Sequence, residues 1–280
     1  MSRSKLAETW HLLQHLMATE QLKLRYLYLF KAILVAMAVT PAVALLSIML
    51  LRDSSIVFPQ VLEWIGAFLL VLGSFSAPLL TATMLGSEFE QGTAQVIVAR
   101  GIPRWMLIVG KGGILIAAIA LGALAGWFSG SIAAVVGHIS QAGTRILLFG
   151  ILALCTSGLD AVAVVVLAAF AYAGITMAIA VLTRSTAFTT FGGLGLVMGD
   201  LLVNGNLGVG FELGQWSTFS IFHNTVALLS KLQFTMAPTS LLASGKFSTP
   251  SATAVIVLLC YALGGLAAAI LLFQRQDINN

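Results

Sequence analysis

Six stretches of this chain stay apolar for about the length of a bilayer crossing: Phe30 to Leu51, Trp64 to Leu85, Leu107 to Phe128, Ala161 to Leu182, Ala187 to Val203 and Ala252 to Phe273. About 20 such residues in helical form span the hydrocarbon layer. Hydrocarbon offers no water to backbone N–H and C=O groups, so a crossing segment must satisfy them internally as a helix or laterally in a closed barrel. These runs lack the period-2 alternation of barrel strands, so helices are expected. Composition agrees: 59% of the 280 residues are hydrophobic and 9% charged, against about 45–50% apolar in soluble domains. The expected fold is all-α, one polytopic transmembrane domain over residues 1–280 with six membrane-spanning helices.

The cations assign sides. With both termini cytosolic, Arg3, Lys5, Lys23, Arg25, Lys31, Arg100, Arg104, Lys111, Arg184 and Arg275 lie inside, and Arg52, Arg145, Lys231 and Lys246 outside. Cytosolic loops carry such an excess of Lys and Arg. Arg145 to Leu159 complicates the count, because as a seventh span it would reverse every later loop, and charge alone does not separate six from seven. Being short and bounded by Gly143 and Asp160, it is read as an outer-leaflet or re-entrant helix. The net charge of +4 reflects sidedness and gives no reason to expect a nucleic-acid partner.

Residues 1–29 precede the first span. Leu6, Trp10, Leu13 and Met17 recur at helical spacing, while Glu8, His11 and His15 fall on other faces. This pattern suits an amphipathic interfacial helix lying at the membrane surface, or one packed on a partner. Lys23, Arg25 and Lys31 accompany Tyr26 and Tyr28, side chains at home at headgroup level. The run that follows is too long for a signal-peptide core, so this segment is expected to be retained. Residues 204–250 are too apolar for a free loop; half-inserted, re-entrant outer helices turned by Gly205, Gly208, Gly210 and Gly214 are expected. Cys155 and Cys260 lie in separate apolar runs and read as buried thiols.

The polar interruption between the second and third spans, residues 87–104, gathers Glu88, Glu90, Arg100 and Arg104 in a chain poor in charge. Thr93 suits the N-cap of a short helix through Arg100, Gly101 suits the residue past its end, and Pro103 suits the first turn of the next helix. Glu88 and Glu90 could pair with Arg100 or Arg104. A short cytosolic helix joined directly to two spans is a mechanical part, since whatever pushes on it moves both. The alternative is an ordinary hairpin whose cations only follow the sidedness rule.

The pattern Glu88-x-Glu90-x-Gly92-Thr93, then Arg100-Gly101-x-Pro103-Arg104-Trp105, then Gly110-Lys111 resembles the loop between spans two and three of type-2 ABC transporter permeases. The resemblance implies that Thr93 to Arg100, including Val96 and Ile97, forms the coupling helix that docks in a groove of an ABC ATP-binding subunit. Glu88 and Glu90 would stand at the junction facing the elbow helix and that subunit, and Pro103 and Arg104 would restart span three. It implies the elbow helix, six spans and re-entrant helices between spans five and six. It also implies a second permease copy or homologue, a place in the cell membrane and an exporter-like action. The chain has no Gly-x-x-x-x-Gly-Lys-[Ser/Thr] phosphate loop, so ATP and Mg would be held by the partner, and this chain is not expected to be an enzyme.

Within the spans, Asp200 and Asn204 near the outer end of the fifth are the candidates for a substrate path; equally, Asp200 could cap the following turn. Glu63 and Asp160 read as acids opening spans two and four. His138 and His223 have no ligand-like spacing, so no metal site is expected, and no convergent catalytic set is present. Gly192, Gly193, Gly195, Gly264 and Gly265 would let spans five and six approach each other or a second subunit. A secondary transporter or channel would need charges at the midplane, and a membrane scaffold would need no partner ATPase.

Overall fold

The computed structural model describes residues 14, 17–19, 21–23, 26–51, 58–139, 145–204, 218–231 and 249–275. Among them no strand occurs. In chain order the helices are α1 (Tyr28–Leu51), α2 (Phe58–Thr81), a π-helical turn (Ala82–Gly86), α3 (Ser87–Glu90), α4 (Thr93–Ala99), α5 (Arg104–Ile139), α6 (Arg145–Thr183), α7 (Thr186–Asn204), α8 (Ile221–Lys231) and α9 (Ser251–Arg275). Six of them, α1, α2, α5, α6, α7 and α9, are long and apolar enough to cross a membrane.

These six form an inner and an outer set. In α2, α5 and α6, 67%, 61% and 56% of the most apolar window is buried, against 22%, 17% and 17% in α1, α7 and α9. The central helix is α6, which lies against α2, α5, α7 and α9, while α1 lies on α5 and α2. The core between them holds Met37, Ile65, Leu69, Leu115, Ile119 and Tyr172. Val35, Phe188, Phe191 and Leu271 point outward, which costs nothing in hydrocarbon; lipid tails are as apolar as the core, so close packing must hold the helices together.

Glycines supply that closeness at particular crossings. A Cβ on Gly126 of α5 would lie 2.3 Å from the Met37 carbonyl oxygen of α1. One on Gly265 of α9 would lie 2.3 Å from the Gly174 carbonyl carbon of α6. The glycines expected to join spans five and six are used differently. Gly265 meets α6, Gly193 meets Pro78 of α2 and Thr176 of α6, and Gly195 and Gly264 have nothing within 4 Å. The sixth span therefore packs on the fourth.

Arg145 to Leu159 is not a separate outer or re-entrant helix. It is the first part of α6, which runs unbroken for 39 residues, or roughly 58 Å at the helical rise. Gly158 does not break the helix; a Cβ there would lie 2.2 Å from Nε1 of Trp127, so its bare backbone makes room for the indole of α5. Asp160 is accordingly an exposed residue inside α6 and opens no helix. Cys260, expected to be buried, is an exposed free thiol on α9.

Of the region 204–250, the described part is α8 with residues 218–220 before it and Thr249 and Pro250 at its end. It is buried at His223 through Leu229 and packs on α6, α7 and α9. The rest of that outer region, residues 205–217 and 232–248, lies outside the described residues, as do Leu6, Trp10 and Leu13 of the N-terminal segment. Met17 of that segment packs against the core.

Candidate functional site

The second span does not simply stop at the polar loop. It passes through the π turn, where the Ser87 N–H reaches back to the Ala82 carbonyl, and such turns recur at functional places in helices. Lys111 of α5, only 2% exposed, donates from Nζ to the Met84 carbonyl of this turn at 2.9 Å. The same Nζ lies 2.9 Å from Oε1 of Glu88. Lys23, from the N-terminal segment, reaches that oxygen at 2.9 Å as well. Glu88 is 8% exposed, and a buried carboxylate is tolerable only when paired. One oxygen thus joins the end of the second span, the start of the third and the segment before the first.

Two other charged residues of the loop, Glu90 and Arg104, each hold a helix terminus. Glu90 Oε2 accepts the Thr186 backbone N–H at 2.9 Å. The first N–H groups of a helix have no partner within it, and a carboxylate is favoured beside them. Arg104 Nη1 donates to the Phe273 and Gln274 carbonyls at 2.9 and 3.0 Å, supplying the last carbonyls of α9. Its guanidinium stands 5.7 Å from the Phe273 ring centroid, and Phe89 meets that ring edge-on at 5.1 Å. The pairing expected within the loop, of Glu88 and Glu90 with Arg100 or Arg104, is therefore replaced by bonds to four other elements. Every one of these partners is distant in sequence, up to 170 residues in the case of Gln274.

Between these clamps the chain turns sharply. Gly92, at φ 69°, is the N-cap of α4, and left-handed backbone of this kind is cheap only for glycine. Thr93 is thus the first helical residue and not the cap; its hydroxyl donates to the Glu88 carbonyl at 3.2 Å. At the other end the expectation holds, because Gly101 follows the helix at φ 89° with its N–H on the Val98 carbonyl at 3.0 Å. Pro103 stands just before α5, its carbonyl taking the Met106 N–H at 3.0 Å. Ala94 is buried, and Ile97 and Val98 pack against the core. Val96 is 52% exposed, and Arg100, Pro103 and Trp105 share the open surface with it.

At the opposite end of the bundle Asp200 is a junction of its own. Its Oδ2 accepts the Tyr172 hydroxyl at 2.7 Å and the Phe222 N–H at 2.9 Å, and its Oδ1 accepts the Ser220 hydroxyl at 2.6 Å. It joins α6, α7 and the N-terminus of α8, the capping alternative open to it from sequence. Asn204 closes α7. Sequence reasoning missed His223 as a structural residue. Its Nε2 lies 3.0 Å from Thr249 Oγ1, and Lys231 donates to the Thr249 carbonyl. The signal for it was a histidine on the apolar face of a short helix.

Burial pushes the His223 imidazole below its ordinary value, against the opposite pull of the Asp200 carboxylate. With the folded value depressed, the unfolded chain binds the proton first as pH falls. Stability should therefore be full above about pH 6.5 and decline below it. Thermal unfolding at pH 7.5 and pH 5 should show the lower stability at pH 5, with a smaller difference in His223→Gln; an unaltered difference would exclude His223 as its source.

No match was found among curated proteins. The family described as "ABC-2 family transporter protein" matches residues 13–278, a span that takes in every helix described above. Six apolar crossings and a clamped polar loop after the second thus sit in a chain matched nearly end to end, and the protein belongs to the ABC-2 family, as a membrane-spanning permease component of an ABC transporter.

Proposed function

We propose that this permease couples ATP hydrolysis in a separate ABC subunit to export of cargo, with α4 as the docking helix. The observation that carries this reading is the open face of Val96, Arg100, Pro103 and Trp105 on a loop tied to neighbouring helices by Glu88, Glu90 and Arg104. An exposed apolar residue beside a cation suits a groove on a partner, and these clamps would turn a push on that face into helix movement. ATP and Mg would be held by the partner, since the sequence has no phosphate loop. A second permease copy or homologue would complete the pathway, in a cell membrane with both termini cytosolic, as the ten-to-four division of cations supports. Among the described residues, no charged residue is buried between the Glu88–Lys111 junction and Asp200, which suits a hydrophobic or amphipathic cargo.

The test is Val96→Glu. It should weaken capture of the ATPase subunit by about 2 kcal/mol, ~30-fold in affinity, and abolish permease-dependent stimulation of ATP hydrolysis while membrane insertion is unchanged. Ile97→Glu is a poorer probe because Ile97 packs inward. Full stimulation by the Val96→Glu permease would overturn docking at α4.

A further inference from the structure

The docking reading moves the second and third spans, because α4 lies between them. The structure also ties the loop to a helix that is not its chain neighbour. We infer that α7 is a connecting rod: Glu90 transmits movement of the loop to its first turn, and Asp200 passes that movement from its last turn to α8 at the far end of the bundle. This rests on the proposed docking of an ATPase subunit at α4.

Four observations meet at the near end. Glu90 Oε2 holds the Thr186 N–H at 2.9 Å. A Cβ on Gly86 of the π turn would lie 3.1 Å from the Thr186 Cα and 3.4 Å from Thr189 Oγ1, so the two backbones touch with no side chain between them. The connection from α6 to α7 is only Arg184 and Ser185. Arg184 has φ 50°, a left-handed conformation unfavourable for a residue with a Cβ. The first turn of α7 is thus hung between a strained two-residue turn and a carboxylate that belongs to the loop.

The body of the rod is packed along one face, where Gly193 meets Pro78 of α2 and Thr176 of α6, and open along the other, with 17% of its apolar window buried and Gly195 and Gly199 facing nothing within 4 Å. Its far end is firmly held again, by Asp200 to the Tyr172 hydroxyl, the Ser220 hydroxyl and the Phe222 N–H. Bonded ends and a middle open along one face leave a rigid helix able to carry displacement. A helix of 19 residues reaches roughly 28 Å, enough to carry a push from one side of the bundle to the other. Glu90 is on this account a positioning residue. Its carboxylate is exposed but bonded to the first turn of α7, leaving Val96 and Arg100 to face the partner.

The experiment uses the permease purified with its ATPase subunit, carrying a single cysteine at Leu202 in a Cys155→Ala, Cys260→Ala background. Its rate of labelling by a membrane-impermeant maleimide is compared with and without ATP and vanadate. With Glu90 intact the trapped nucleotide should change the rate. Glu90→Ala should remove most of that change while the ATPase subunit still co-purifies, and Glu90→Gln, which keeps an acceptor, should restore part of it. Thr186→Pro is the second variant, deleting the donor at a first-turn position that accepts proline, and it should reproduce Glu90→Ala. A full nucleotide response in Glu90→Ala, no response with Glu90 intact, or loss of the ATPase subunit from Glu90→Ala would each overturn the inference. If no ATPase subunit accompanies the unaltered permease, the docking reading fails instead. Hydrogen exchange of the Thr186 amide in the isolated permease then decides the Glu90 link by itself, with ~5-fold faster exchange expected in Glu90→Ala and unchanged exchange overturning the link.

Discussion

Replacing Lys111 by methionine should cost about 3–5 kcal/mol of stability, because it leaves Glu88 buried beside a single, solvent-screened partner. The Lys23 side chain is 53% exposed, against 3% for Lys111, so Lys23 cannot replace what Lys111 supplies. The variant also strips the Met84 carbonyl of its donor, loosening the π turn. Methionine fills the lysine stem's volume, so a loss of packing is not the cause. The companion variant Glu88→Gln together with Lys111→Met should recover most of the loss, since a buried pair replaced as a unit is often nearly neutral. Denaturation in mixed detergent of the four forms gives the coupling energy. A single-variant cost under about 1 kcal/mol would show that the pair does not hold this end of the bundle.

Gly265→Val should be nearly as damaging, by about 3 kcal/mol or through failure to assemble, because overpacking against backbone cannot be relieved by a rotamer change. Its Cβ would fall 2.3 Å from the Gly174 carbonyl carbon and 2.6 Å from the Ile175 nitrogen, so α9 would have to leave α6. Gly264→Ala, one residue away, has nothing within 4 Å of its new carbon. It should be neutral or stabilising by up to ~1 kcal/mol through helix propensity. Thermal unfolding of the two variants side by side checks the prediction; equal effects at the two positions would refute the α6–α9 crossing.

The loop helix was legible because its signals are local. Gly101 and Pro103 do their work through their own backbone angles, and they mark the end of α4 and the start of α5 where the structure has them. The N-cap was misjudged at Thr93 because capping preference competes with the need for a left-handed turn between α3 and α4, and Gly92 meets the stronger demand. The continuity of α6 was not legible. Gly143 and Asp160 read as boundaries of a separate short helix, yet Gly158 and Asp160 both sit within α6, the glycine where the indole of Trp127 needs the space.

Length and apolarity alone determined that this chain crosses a membrane as helices and that six segments can do so, because hydrocarbon forces every crossing backbone to bond within itself. Thr93, Gly101 and Pro103 determined that a short helix stands between the second and third crossings. Only the tertiary structure decided which face of each span meets protein and which meets lipid: both surroundings are apolar, so Gly264 and Gly265, or Cys260 and its buried neighbours, carry no distinguishing pattern. It alone decided that Glu88 pairs with Lys23 and Lys111, Glu90 with Thr186 and Arg104 with the end of α9. Those bonds depend on which helix ends the fold brings together at one side of the membrane, and a charge takes the partner that is near in space whatever its distance along the chain.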